Sequence, residues 1–221
     1  IQVYGGMGFS AESEVEACYR DARISRIYEG TNEINRLLVV KMILKKAMTG
    51  EINILGTAKE VAKELLSIPS FEVSTSLDIL GEEKKSLKKL KKAILMVSGT
   101  AAQKLGEKLA TEQEIMMNIA DMIIEVFMLE SAILKTEKLI TKHGEKNNQE
   151  KISICINYLY HTAEEVSKNG KEALYALAEG DEQKMLLMGL KRFTKLSPTN
   201  LKEHRRSIAK RLIEANEYCF D

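Results

Sequence analysis

Three apolar stripes of matched length fill the second half of the chain and leave few ways for it to fold. Leu87, Leu90, Ile94, Val97 and Ala101 recur at three and four, which predicts a helix over residues 83–109. Thr111 and Glu114 have the spacing of a capping box, and Ile115, Ile119, Met122, Val126, Leu129, Ile133, Thr136 and Ile140 then keep a heptad-like rhythm over about thirty residues. Gly144 and Asn147-Asn148 make the next turn. Ile152, Ile156, Leu159, Ala163, Val166, Gly170, Ala173 and Leu177 carry the rhythm over 149–178, straight through a glycine. Asp181 is placed to cap a shorter helix to residue 196, with Leu186, Leu190 and Phe193 inward. Ser197-Pro198 reads as a cap and a proline at the first helical position of a last helix to residue 217, with Leu201, Ile208, Leu212 and Ile213 inward. Long stripes joined by turns of a few residues force antiparallel neighbours. The expected fold is all-α, an antiparallel helical bundle over 83–221 in up-down-up order closed by two shorter helices, able to fold without the first 48 residues.

Composition narrows the function classes. Two prolines and thirteen glycines in 221 residues, 44% of them hydrophobic, suit a largely helical chain with a full core. A formal charge of +1 gives no general attraction to nucleic acid, and no zinc-finger or helix-turn-helix spacing revives that partner. Cys18, Cys155 and Cys219 lie far apart, which fits a reducing compartment better than a disulfide framework. His143, His161 and His204 are isolated from one another and from metal-ligand spacings, so no metal site is expected, and one of the three is expected to be a partly buried hydrogen-bonding residue. Met116, Met117, Met122 and Met128 read as gap-filling core. No run of 18 apolar residues could span a bilayer, and no leader opens the chain. Ile1 stands where an initiating Met would, which reads as a piece of something longer.

The chemistry-bearing residues concentrate in the first 36. Gln2-Val3-Tyr4-Gly5-Gly6-Met7-Gly8-Phe9 exposes glycine backbone that can pack closely on a ligand or make a tight turn. Ser10 is placed to cap a helix over 11–21, and Arg20, Asp21 and Arg23 form a charged group expected to pin the turn that follows. In that turn, residues 24–36, Thr31 can cap a helix running to residue 48, Glu33 lies in its first turn, and Gly30 permits a sharp bend. Glu29 thus stands just outside a helix N-terminus, the usual place of a surface carboxylate. Ile27 and Tyr28 argue for a poorly hydrated cleft, where a carboxyl pKa rises toward the range of a general base. The helix over 31–48 carries a broad apolar face of Ile34, Leu37, Leu38, Val39, Val40, Ile43 and Leu44, and is expected to pack on the bundle or on a second copy of itself. A helix over 53–66 follows, stopped at Pro69, with 68–82 expected as a mobile linker. The chain therefore divides into 1–49, a connecting segment 50–82 and a bundle 83–221. Lys84, Lys85, Lys88, Lys89, Lys91 and Lys92 read either as a solvated helix face or as a contact for anionic lipid through the segment 50–92.

The glycine-rich opening, then Tyr19-Arg20-Asp21-Ala22-Arg23, then the stretch Arg26 to Arg36 resemble in order and spacing the C-terminal end of the acyl-CoA dehydrogenases. The resemblance implies that Glu29, in Tyr28-Glu29-Gly30-Thr31, is the catalytic base, as in the short, medium and very-long-chain branches. It implies that Glu29 and Gly30 meet the acyl-CoA substrate. Gln2, Val3, Tyr4, Gly5 and Gly6 with Thr31, Asn32 and Glu33 would contact FAD, commonly that of a neighbouring subunit. A helical region after the catalytic helix is similar to that of the very-long-chain members, so the bundle resembles their extension. The implied reaction is dehydrogenation of an acyl-CoA, with a long chain expected, to a trans-2-enoyl-CoA, with electrons passing to an electron-transferring flavoprotein. The implied enzyme is cytoplasmic if bacterial, or peripheral at a membrane. Alone, the chain is expected to be inactive, to hold FAD weakly or not at all, and to form a homodimer through its first 48 residues. A non-catalytic helical interaction or membrane-association domain stays open as the other reading.

Overall fold

A computed structural model of the chain describes residues 1–66 and 78–220. Among these residues the regular structure is all helical: a 3-10 turn Gln2–Gly8, then α1 Glu14–Ile24, α2 Asn32–Met48, α3 Ile54–Leu66, α4 Gly81–Leu105, α5 Gln113–His143, α6 Gln149–Leu177, α7 Gly180–Thr194 and α8 Leu201–Ala215. Short 3-10 segments Gly106–Thr111 and Glu145–Asn148 join the three long helices.

The stripes are the core. Leu90 and Val97 on α4, Met116, Met122, Leu129 and Ile133 on α5, Val166 and Leu174 on α6 and Leu190 on α7 are almost fully buried, each stabilising the fold by roughly 1.5–3 kcal/mol of transfer free energy. Polar pairs at the rim record the antiparallel order. Lys84 near the start of α4 meets Glu137 near the end of α5 at 2.5 Å, and Lys91 meets Glu130 at 2.6 Å. Across α5 and α6, Thr136 Oγ1 lies 3.2 Å from Cys155 Sγ while Tyr158 donates to Glu125 at 2.8 Å. Residue numbers rise on one helix as they fall on its neighbour, which is the up-down-up arrangement.

α3 packs antiparallel on α4 and also meets α7, so part of the segment 50–82 belongs to the bundle. Gly99 lets it in: a Cβ there would lie 2.5 Å from Ala58 Cβ. α6 runs on without a break through Gly170, where the flexible end of Leu190 lies 2.8 Å from where a Cβ would stand. The α7–α8 end is closed by Ser153 Oγ, 3.0 Å from His204 Nδ1, by Arg205 Nε donating to Asn157 Oδ1 at 3.2 Å, and by Tyr160 donating to the Ser197 carbonyl. His204 is thus the partly buried hydrogen-bonding histidine.

Several local expectations are corrected. The first helix starts at Glu14, three residues late, because Ser10 spends its hydroxyl on the Glu12 amide in a turn. α4 ends at Leu105, where Gly106 takes φ +53°. Thr111 donates to the Lys108 carbonyl at 2.8 Å in place of capping α5, so the capping box does not form. Asp181 pairs with Lys184 inside the first turn of α7 and caps nothing. The last helix starts at Leu201, after an extended stretch through Pro198, and Leu212 and Ile213 face outward, Ile213 at 77% exposure. Met128 is likewise exposed, whereas Met116 and Met122 fill the core. The expected linker 68–82 and its stop at Pro69 lie mostly outside the described residues, but Asp78 to Leu80 form a turn with Leu80 fully buried, and Glu82 is already helical.

Candidate active site

The turn between α1 and α2 is made by two consecutive residues with positive φ, Glu29 at +56° and Gly30 at +92°. Glycine takes this region freely, whereas a residue with a Cβ gives up roughly 1–2 kcal/mol to do so. Such a cost persists where surrounding bonds over-determine the conformation, and they do here. The Asn35 side-chain amide donates to the Gly30 carbonyl at 2.9 Å. The Asn32 amide reaches back to the Arg26 carbonyl at 3.2 Å, and Thr31 Oγ1 accepts from the Ile34 amide at 3.3 Å, capping α2. Gly30 is required twice over, since a Cβ at this position would also lie 2.9 Å from Asn35 Oδ1. Glu33 is exposed in the first turn, and its carboxyl sits below the ordinary value, chiefly through its own backbone amide and then through the Thr31 hydroxyl, with Arg26 and Arg36 adding.

The structure therefore gathers Glu29, Gly30, Thr31, Asn32 and Glu33 at one clamped junction. It does not enclose them. Ile27 and Tyr28 are about half exposed, at 49% and 53%, and Glu29 is exposed, so the poorly hydrated cleft expected around the carboxylate is not built by the described residues. Nor does Arg20 pin the turn as expected: it donates to Glu16 within α1, Nε to Oε1 at 2.5 Å and Nη2 to Oε2 at 3.2 Å. Asn35 does the pinning. It lies five residues beyond the glycine whose carbonyl it holds, a backward reach from the first helical turn that the spacing permits but does not announce.

Gln2, Val3, Tyr4, Gly5 and Gly6 form an open 3-10 turn, closed by the Tyr4 amide on the Ile1 carbonyl at 3.0 Å. Val3 is 98% exposed, and nothing lies within 4 Å of where a Cβ on Gly5 or Gly6 would stand. The bare glycine backbone faces open space, which suits one contacting edge of a flavin nucleotide and not a pocket that encloses it. Among the described residues no hydrogen bond or ion pair joins this turn to residues 29–33.

Behind the clamped turn, a cleft of about 380 Å³ separates α2 from the bundle. Arg26, Asn32, Asn35 and Arg36 line it on one side, Asp121, Glu125 and Glu165 on the other. Arg36 Nε meets Asp121 Oδ1 at 2.6 Å. Burial raises the Asp121 carboxyl despite that partner, and Glu125 and Glu165 add to the effect. Tyr158 donates to Glu125 at 2.8 Å, and burial together with this carboxylate pushes its phenol well above the ordinary value. Below the cleft, Val40, Leu37 and Leu44 dock α2 on α5, while Ile34, Leu38 and Met42 remain about half exposed along the other edge of the same helix. The broad apolar face is thus half used. No group of His, Cys, Asp and Glu suited to a metal occurs among the described residues, and no helix there is long and apolar enough to cross a membrane. Of the lysine group, Lys84 and Lys91 pair with Glu137 and Glu130 on α5, Lys92 with Glu64 on α3 and Lys85 with Glu82 within α4, so three of these four tie α4 to its neighbours.

Comparison with known proteins agrees with the fold. Two family models, each described as the acyl-CoA dehydrogenase C-terminal domain, match residues 1–44 and 89–192. A probable acyl-CoA dehydrogenase of Bacillus subtilis is 39% identical over 99% of this chain, which spans 36% of that protein's length. The short-chain specific acyl-CoA dehydrogenase of Sus scrofa mitochondria is 56% identical over 45 residues, 20% of this chain and 11% of that protein. The crystal structure of an acyl-CoA dehydrogenase from Bacillus anthracis complexed with FAD superposes with a TM-score of 0.94 at 41% identity, covering 99% of this chain and 37% of that one. With matches over 1–44 and 89–192 and alignment along nearly its whole length, the chain is similar to the C-terminal domain of the acyl-CoA dehydrogenases.

Proposed function

We propose that this chain is the C-terminal part of a flavin-dependent dehydrogenase that converts an acyl-CoA thioester to its trans-2-enoyl product, with Glu29 as the base. The observation that carries the reading is Glu29 itself: a non-glycine residue held at φ +56° by bonds from α2, within the stretch that matches the family. An α hydrogen beside a thioester becomes acidic enough for a carboxylate only if the developing enolate oxygen is met by fixed donors. The Glu29 carboxylate takes that proton, and its own backbone amide is the donor this chain offers the thioester carbonyl. A flavin held on the opposite side of the substrate would supply the acceptor for the hydride on the β carbon, so that loss of the α proton and β hydride leaves a carbon–carbon double bond. Gly5 and Gly6, with bare backbone facing open space, and the α2 N-terminus at Thr31, Asn32 and Glu33 hold and orient the nucleotide.

We further propose a long-chain substrate, with the helices beyond α2 serving as an extension of the very-long-chain kind, and an electron-transferring flavoprotein as the electron acceptor. Residues 1–49 complete the catalytic helical domain, and 83–221 are the extension. Because Glu29 and the glycine turn are open to solvent here, the 221-residue chain alone is inactive and retains little flavin. The test is Glu29→Gln in the flavoprotein that contains this chain. Turnover falls by about 10²–10⁴-fold, the usual worth of a positioned base, while flavin absorbance is unchanged. Retained turnover removes Glu29 from the mechanism.

A further inference from the structure

The residues that close the Glu29 turn are also the residues that face the bundle across the 380 Å³ cleft. Arg26 supplies the carbonyl that the Asn32 amide bonds, and Asn35 supplies the clasp on Gly30. Arg36 follows Asn35 directly and lies one turn beyond Asn32. Its Nε reaches Asp121 Oδ1 at 2.6 Å, and this ion pair joins the first turn of α2 to α5, with the two side chains 38% and 25% exposed. An ion pair at this point fixes the rotation of α2 about its axis where Asn35 leaves it, and so fixes the direction in which the clasped turn presents Glu29. The apolar anchors Leu37, Val40 and Leu44 hold the same face of the helix on α5, and the ion pair adds a directional contact at the end nearest the turn.

We infer that Asp121 is a positioning residue for Glu29: through Arg36, the helical bundle sets the orientation of the base-bearing turn. The role of the base rests on the function proposed above, but the coupling of Asp121 to the turn does not. It extends the bundle's part beyond packing, since a residue 92 positions away in sequence then governs the geometry of the turn.

Amide hydrogen exchange in the 221-residue chain reads the coupling without any activity. Asp121→Asn speeds exchange of the Asn32 amide roughly tenfold, the loss of about one charged hydrogen bond, and Asp121→Glu restores it. Arg36→Gln removes the same pair from the other helix, so it produces the same increase, and the double variant adds nothing further. Unchanged Asn32 exchange in either single variant, with helicity intact, overturns the inference, as do additive effects in the double variant. If Asp121→Asn loses its helical circular dichroism, Arg36→Gln and Arg36→Lys decide alone, fast exchange in the first with recovery in the second supporting the inference and anything else overturning it. In the flavoprotein, Asp121→Asn lowers kcat about tenfold with KM within about twofold, the pattern of an interaction made in the transition state, and Asp121→Glu recovers it. A proportionate rise in KM at unchanged kcat overturns positioning. A wild-type flavoprotein without acyl-CoA turnover removes the function and leaves the exchange result to decide the coupling.

Discussion

The side chain of Asn35 holds the carbonyl of Gly30 at 2.9 Å, so the helix that follows the bend fastens the bend from its own first turn. A loop that ends in a helix is normally its mobile part. Here the orientation of Glu29 is a property of α2, and anything that rotates α2 moves the carboxylate.

Gly30→Ala tests that dependence directly. The added Cβ would sit 2.9 Å from Asn35 Oδ1 at a backbone φ of +92°, so the clasp breaks and the turn opens. In the flavoprotein kcat is expected to fall by roughly 10²-fold, the effect of a misplacement near 1 Å. The helical circular dichroism and melting temperature of the chain stay close to wild type, because the turn buries no core residue. A fall in activity that tracks a fall in helicity would count against the clasp.

Two glycines at helix crossings should respond differently to the same change. At Gly99 an alanine meets the Cβ of Ala58, which moves only with the backbone of α3, and at Gly170 it meets the flexible end of Leu190. Overpacking is expected to destabilise Gly99→Ala by about 1–3 kcal/mol, beyond what is offset by the roughly 1 kcal/mol gain in helix propensity. Gly170→Ala stays within about 1 kcal/mol of wild type. Urea unfolding of both variants measures the difference, and equal midpoints would contradict it.

Glu83 gives the chain an acid-side dependence. Burial raises its carboxyl above the ordinary value, its own amide and His204 opposing, with Glu82 and Asp78 adding to the rise. A raised folded-state value means that the protonated form is favoured by folding. The contribution is therefore fully present below the ordinary carboxylate range and is lost as pH rises through the folded-state value. At neutral pH Glu83→Gln is expected to raise the melting temperature by about 1–2 °C, with solvent screening keeping the effect small. The gain should shrink as pH falls toward about 4. A gain that is constant with pH would show that the ionised carboxyl costs nothing there.

Self-association should reside in the first 48 residues. Val3, Phe9 and Met48 are 87–98% exposed, and Ile34, Leu38 and Met42 form a half-exposed stripe along α2. Apolar area of this extent is a docking surface or a liability. Sedimentation equilibrium is expected to show a dimer for the whole chain and a monomer, still helical, for one beginning at residue 50. A monomeric whole chain ends the dimer proposal, and a shortened chain without helicity ends the claim that the bundle stands alone.

What the amino-acid sequence settled by itself is the order of helices and the residues at their centre. Most of the stripes Leu87 to Ala101, Ile115 to Ile140 and Ile152 to Leu177 are buried as their spacing required, with Ile94, Ile140, Ile152 and Ile156 only partly covered, because a helix has one apolar face and antiparallel neighbours must share it. The turn carrying Glu29 and the Thr31 cap were legible for a local reason too, since a capping residue before an apolar run marks a helix start and a glycine ahead of it permits the sharp bend. Helix ends were less legible. Ser10, Thr111 and Asp181 all had the chemistry of caps, but each hydroxyl or carboxylate found a nearer partner, a competition of about 1 kcal/mol on either side. Only tertiary structure decided the rest: the fit of Gly99 against Ala58, the half-covered face of α2, and the Arg36–Asp121 pair. These join positions tens of residues apart through space. A pattern that repeats every three or four residues carries no information about which distant charge a side chain will meet.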